Sequence, residues 1–502
     1  MLGFQKTAGL ALVAVGTTLA YPEPAPISRA ATAQVCCDAL AKKYGAQTSQ
    51  LGTTSYSSLN VFWSSSAVLA PTCVFAPTTA DQVSFLVKTA VANSCKFAAK
   101  GGGHSAVPGA ADVDNGILIS FDNMKNISLQ TASDGTKYAA VQPGLHWGDV
   151  YTYLDPLNVI PAVGRFYPVG TGLVLGAGFS FLGNEKGFAT DSVYSFETVL
   201  ANGSIVTVSQ TNAPDLFKAM KGGGNNFAIV TRYNLRVFPG GKIAGGMVIA
   251  AEDQTEKWLD LTYDYATVQA VQEVKSHALP AMAWVQATDV AISETPVVYV
   301  VPGATQLPAI MSGWNNMTAI SNTVRSVYPH ELAQEYAAGF SNGQFQEQRV
   351  FTIKANRAEF AYIWYQFLAW ARAMKDVPGF NILHCNMPVT PRMATAGLAY
   401  GGNSLGLDSN KDVLSVIYLG ITMDTRDDSV VSSFRSLFTT LQSHSKSANL
   451  LHPWLFWNYA GIGQDVIASY GTASVANMKK VRTKYDPSGV FKTLVPGGFK
   501  LA

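Results

Sequence analysis

The stretch Lys100-Gly101-Gly102-Gly103-His104-Ser105 sets three glycines directly before a histidine. Phe97-Ala98-Ala99 ahead of it reads as a short apolar strand. Glycines leaving a strand can take the positive φ that turns successive N–H groups toward one anion. A pyrophosphate suits such a nest, and an imidazole at its rim suits covalent attachment. Alone, the same residues also fit a glycine-rich surface loop with an incidental histidine.

The surroundings favour the nest. Upstream, Val83, Leu86, Val87 and Ala90 repeat at helical spacing behind Thr79, a residue type that caps helices. Downstream, Gly116 to Phe121 and Tyr138 to Gly144 read as strands, followed by a helix over Trp147 to Leu154. A second glycine cluster spans Val169-Gly170-Thr171-Gly172 with Gly176 and Gly178, and a third spans Gly222 to Thr231. Separate backbone approaches of this kind suit one long ligand. The second cluster misses the dinucleotide pattern G-x-G-x-x-G, because Leu175 stands at its last glycine. Between the clusters, Asn202-Gly203 is a two-residue hairpin signal, so the sheet is at least partly antiparallel. These features predict an α+β cofactor domain.

In their order, these segments resemble the FAD-binding domain of the vanillyl-alcohol oxidase superfamily, and within it the berberine bridge enzyme-like oxidases of secreted fungal type. The resemblance runs from about Pro71 to Pro239. It includes Lys186-Gly187-Phe188-Ala189-Thr190-Asp191 and returns at Asn458-Tyr459, Tyr485-Asp486-Pro487 and Val490-Phe491. It implies a two-lobed fold with these parts: a leader at 1–20, a disulfide-linked N-terminal helical segment at 21–70 and an FAD-binding domain at 71–240. A substrate domain at 241–450, an antiparallel sheet backed by helices, comes next, and residues 451–502 return to the FAD domain.

The resemblance further implies that FAD is held by Lys100, Gly101, Gly102, Gly103, His104, Ser105, Gly109, Val169, Gly170, Gly172, Gly176, Gly178, Asp191, Ile229 and Asn458, with His104 bonded to the flavin 8α-methyl. Many family members add a cysteinyl bond just before the second glycine cluster. Here Gly164-Arg165-Phe166-Tyr167-Pro168 has no cysteine, so a single link is expected and carbohydrate oxidation becomes a weaker alternative. The implied chemistry is hydride transfer from a small alcohol, amine or secondary metabolite to flavin, then reduction of molecular oxygen to hydrogen peroxide. Tyr459 is the candidate base. A phenol near its ordinary pKa of ~10 needs a neighbouring cation or dipole for that role, and its alternative is packing on the flavin edge. His384 and Glu359 are weaker candidates for touching substrate. A different class of function, a flavin-lobe scaffold for non-redox cyclisation, competes with the oxidase.

Composition is consistent with this reading. The 502 residues are 48% hydrophobic and 14% charged, with net charge +2 and no basic run interleaved with aromatics, so no nucleic-acid partner is expected. Lys6 and the apolar residues through Leu19 read as a signal peptide cut after Ala20, leaving Tyr21 first. That stretch is too short for a membrane span. Sequons at Asn126, Asn202 and Asn316 fit a secreted glycoprotein. Of the five cysteines, Cys36, Cys37, Cys73 and Cys95 suggest two disulfides of undetermined pairing, with adjacent Cys36 and Cys37 bonded to different partners. Cys385 reads as a buried free thiol. No metal-ligand spacing is present, and Gly178-Phe179-Ser180-Phe181-Leu182 lacks the last glycine of a nucleophile elbow. The aromatic stripe Phe360, Ile363, Trp364, Phe367 and Trp370 reads as the core face of a helix at Ala358 to Ala373. Strands are expected at Gly245 to Ala250, Ala281 to Ala287, Val297 to Val301, Phe380 to Cys385 and Val413 to Met423.

Overall fold

The strand and helix expected around the glycine nest are both present in the computed structural model, which describes residues 28–339 and 341–502. The leader at 1–20 and the Tyr21 start lie outside the described residues. The helix Ala80–Asn93 buries Val83, Leu86, Val87 and Ala90, and the Thr79 hydroxyl accepts the Gln82 N–H at 3.3 Å. It ends at Ser94, whose φ is 56°, and the chain turns into the strand Phe97–Lys100 that delivers the nest.

Among the described residues the strands form three sheets. In the first, Cys73–Phe75, Ile117–Ser120 and Phe97–Lys100 run parallel, with Thr48–Gln50 antiparallel at one edge. The second is antiparallel and centred on Ile229–Pro239, which pairs with Lys137–Val141, Val193–Val199 and Val159–Pro161. The Asn202-Gly203 hairpin does close this sheet's edge, but as a three-residue turn rather than the expected two-residue one. Gly203 donates to Leu200 O at 2.8 Å, and Leu200 donates to Ser204 O at 3.0 Å. The last turn position needs a left-handed residue, and Gly203 supplies it at φ 77°.

The third sheet is antiparallel and runs through Ile243–Ala251, Val290–Tyr299, Ala281–Val285, Asn381–Val389, Leu414–Met423 and Phe345–Lys354. The strands differ from expectation mainly in length. Val290–Tyr299 begins earlier, and Asn381–Val389 continues past Cys385. Alternation gives this sheet two faces. One packs on the helices Thr255–Asp264, Arg357–Arg372 and Asp428–Ser447 through a core that includes Trp258, Phe360, Trp364, Phe367, Phe434 and Ile382. The other contributes Cys385, Met387 and Tyr418 to a core shared with the second sheet.

Covalent and terminal links hold the parts together. Cys36 bonds Cys95 and Cys37 bonds Cys73, so the helix Ser28–Lys43 is fastened to the strand Cys73–Phe75 and to the turn that precedes Phe97–Lys100. Cys385 is free and buried. The C-terminal segment comes back as expected: Asp486 accepts the Val490 and Phe491 N–H groups at 2.8 and 2.9 Å, and Phe491 meets Phe97 edge-on.

Candidate active site

The glycine loops build one wall of a cavity of about 310 Å³, which Gly101, Gly102, Gly103, His104, Ser105, Val169, Gly170 and Gly172 all line. Gly103 sits at φ 67°. The two loops touch: a side chain on Gly102 would meet the Gly170 backbone at 2.7 Å and the His146 ring at 2.9 Å. Gly172 is different, because a Cβ there would point into open space on the cavity wall.

His104 is half-buried and stacks on Trp63, with ring centroids 4.5 Å apart at 13°. Burial, and secondarily His146, pushes its pKa down to about 4. The ring is therefore neutral at physiological pH, the form in which a ring nitrogen is nucleophilic.

Of the other residues named with the nest, all but Asn458 support it from behind and do not line the cavity. Lys100 is buried and pairs with Asp122 at 3.1 Å. Gly109 packs on Gly497. Gly176 leaves room for the Trp457 ring, and Gly178 donates its N–H to Asn458 Oδ1 at 3.0 Å. Asp191 is fully buried, accepting from Phe188 N–H and Asn403 Nδ2, and burial raises its pKa. Ile229 borders a smaller apolar cavity of about 90 Å³ that shares Gly101, Gly172 and Asn225 with the main one. Asn458 lines the main cavity while its Nδ2 donates to Leu173 O at 2.9 Å.

The facing wall comes from the third sheet, the turn Trp457–Tyr459 and the segments that flank the second glycine cluster. Phe166, Phe179, Leu279, Leu383 and Phe456 make it apolar, and Arg165, Cys385, Tyr418, Gln348 and Tyr459 are its polar groups. Arg165 Nη2 donates to Tyr459 Oη at 3.2 Å, and Nη1 lies 3.3 Å from His277 Nε2. A guanidinium only donates, so His277 Nε2 is the acceptor there. Burial raises the Tyr459 pKa, with Arg165 pulling the other way, so Tyr459 is a phenol at neutral pH.

His384 and Glu359 are not brought to this cavity. His384 alternates onto the helix face, stacks on Trp364 and hydrogen-bonds Tyr418 O and Asn386. Glu359 is buried against Ser445 and His444. Arg165, Trp63, His277 and Tyr418 carry no motif that marks them. Arg165 alone leaves a trace, as a lone charge in the apolar run from Val159 to Val169.

Residues 71–209 match a family model described as an FAD binding domain. The chain is 30% identical over 460 residues to FAD-dependent monooxygenase tpcD of Cochliobolus heterostrophus, covering 88% of this chain and 87% of that protein. It is 31% identical over 501 residues to FAD-dependent monooxygenase sdcF of Emericella nidulans, covering 94% and 99%. The chain belongs to the FAD-linked oxidoreductase family of these FAD-dependent monooxygenases.

Solved structures share the two-domain fold of this FAD-linked oxidoreductase. They include 6-hydroxy-D-nicotine oxidase from Arthrobacter nicotinovorans, with TM-score 0.74, 18% identity and coverage of 91% of this chain and 97% of that one. BBE-like 1 of Physcomitrella patens gives TM-score 0.70 at 19% identity, covering 93% and 99%. Glucooligosaccharide oxidase from Acremonium strictum, described with a 6-S-cysteinyl, 8α-N1-histidyl FAD, gives TM-score 0.69 at 17% identity, covering 93% and 99%.

The residues of this oxidoreductase fit its cofactor. The open Gly172 position, the positive-φ Gly103 and the neutral His104 ring lie on one wall, which suits a phosphate-bearing ligand with a ring at one end.

Proposed function

We propose that the protein is a secreted oxidase in which His104 carries FAD through a single covalent bond and Tyr459 meets the substrate. The other residues named with the nest hold the cofactor directly or brace the loops that do. Residues 71–240 and 451–502 form the cofactor lobe, and 241–450 the substrate lobe. The observation that carries this reading is that the glycine nest, His104 and the Arg165–Tyr459 pair all line one cavity. FAD there supplies acceptance of a hydride from a substrate C–H and delivery of two electrons to oxygen, giving hydrogen peroxide.

The chain's own residues do the rest. Tyr459 Oη accepts from Arg165, which leaves its own proton directed at the substrate's oxygen or nitrogen. The aromatic wall excludes water from the reacting bond and suits a small apolar alcohol, amine or secondary metabolite better than a sugar. The two disulfides and the exposed Asn126, Asn202 and Asn316 support a secretory route with glycosylation.

Acid denaturation tests the anchor: yellow colour should stay with the wild-type polypeptide and leave it in His104→Ala. Anaerobic bleaching by a panel of alcohols and amines, then reoxidation in labelled oxygen, tests the reaction. Peroxide equal to substrate consumed, with no label in product, is the expected result. Label in the product would replace the oxidase reading with a monooxygenase one, and flavin that nothing bleaches would favour the non-redox scaffold.

A further inference from the structure

A second cleft, of about 570 Å³, lies where the loop after the nest faces the start of the strand Phe345–Lys354 and the residues Gly461 to Gly463. Val107 and Gln348 line both this cleft and the main cavity, so the two spaces share a wall at that pair. Gln348 is 8% exposed, and its side-chain amide has no hydrogen-bond partner among the described residues. A buried carboxamide in that state is costly until a ligand brings it partners. It can also swing aside without breaking a bond.

Guanidinium groups gather in the cleft. Glu347 Oε1 accepts from Arg435 Nε at 2.9 Å and from Arg349 Nη2 at 3.1 Å, so one carboxylate answers two cations. Arg349 is buried beneath Gly461, and its Nε finds no partner. Arg426 donates its Nε to Asp428 Oδ1 at 2.6 Å, while neighbouring Asp427 accepts the Ser429 and Val430 N–H groups. The surplus positive charge therefore sits on the Arg349 and Arg435 side. Arg435 and Arg426 both line the cleft, and neither Nη1 nor Nη2 of either has a partner among the described residues. The two Nη atoms form the end of the guanidinium, an edge that meets a carboxylate with two parallel hydrogen bonds. In both residues that edge is open.

We infer that the cleft is a carboxylate-binding site and that the substrate is an acid. Its apolar body lies among Phe166, Phe179 and Phe456 in the main cavity, and its carboxylate reaches past Gln348 to Arg435, with Arg426 as a second donor. This rests on the main cavity being the substrate's, as proposed above. An uncharged ligand leaves the surplus charge unanswered, and a short acid cannot occupy both spaces at once.

The test uses calorimetry on the flavin-loaded protein with benzoate, 4-phenylbutyrate and 6-phenylhexanoate, each paired with its primary amide. Acid and amide should bind alike in the benzoate pair. The acid's advantage should grow along the series to at least ~10-fold near neutral pH and low salt, and shrink when salt is raised to ~0.5 M. Arg435→Gln should bring the longest acid to its amide's affinity without changing that of the amide, while Arg435→Lys should keep part of the advantage. On the wild-type protein alone, no advantage for any acid, absence of binding included, overturns the proposal, as does an advantage that is largest for benzoate. An undiminished advantage in Arg435→Gln also overturns it, because the carboxylate would then be read inside the main cavity. Bleaching and peroxide are read separately, so a protein that prefers the long acids yet oxidises nothing fails the oxidase reading and not this one.

Discussion

Gly102 and Gly172 lack the same atom for different reasons. At Gly102 the missing Cβ makes room for the Gly170 backbone at 2.7 Å, whereas at Gly172 it leaves cavity space. Gly102→Ala should therefore lower the stability of the cofactor-free protein by about 1–3 kcal/mol. Gly172→Ala should leave that stability within about 0.5 kcal/mol of wild type while weakening FAD loading. Thermal melting of apoprotein, with flavin content after reconstitution, separates the two. Tyr459→Phe removes the hydroxyl facing the substrate and keeps the ring packed on Phe456 and Tyr418. It should lower kcat/KM by about 10-fold, the worth of one lost hydrogen bond to the substrate of about 1–1.5 kcal/mol. At this scale the glycine nest and His104 were legible, because backbone freedom and an imidazole leave specific letters. Arg165, Tyr418 and Trp63 were not, since their roles come from neighbours distant in sequence.

Along the strand Asn381–Val389, alternate residues go to opposite destinations: Cys385 and Met387 reach the core shared with the second sheet, while Ile382 and His384 turn to the helices. The strand could be read from its apolar residues, but which parity faced the cavity could not, because both faces of this sheet are buried. His384 shows the cost of that burial. Its pKa is pushed down to about 4 by desolvation, so between pH 6.5 and 4 the unfolded chain takes up a proton that the native chain refuses. Stability therefore falls as pH drops through that window, by about 2–3 kcal/mol from this residue. Asp112, pushed up to about 6 by burial, acts with the opposite sign, since the native chain holds a proton there that the unfolded one releases. His384→Gln should flatten the slope of unfolding free energy by up to ~1.4 kcal/mol per pH unit between pH 4 and 6.5, leaving the Asp112 contribution in place. Urea midpoints across that range measure it, and an unchanged slope would contradict the assignment.

The whole molecule is fastened at its N-terminal side by disulfides spanning 59 and 36 residues of sequence. Closing loops of that length restricts the unfolded chain, so Cys37→Ser with Cys73→Ser should cost about 2–4 kcal/mol. Thermal melting should show that loss while the flavin content of the folded protein is unchanged. The two-lobed architecture was legible because ordered glycine clusters and a returning C-terminal segment marked the first lobe. The second lobe was legible only as a sheet with helices, since its strands carry packing rather than motif.

The cavity that holds the nest also takes its wall from Gly498 and Phe499, and Asn226 clasps Phe499 O and Leu501 N–H from the other side. On a ribosome the nest emerges first, and these closing residues emerge only when synthesis has nearly passed them. A nascent chain therefore presents His104 with no finished cradle around it. Loading of the cofactor belongs to the released polypeptide, and a chain stalled before Trp457 should leave the ribosome colourless.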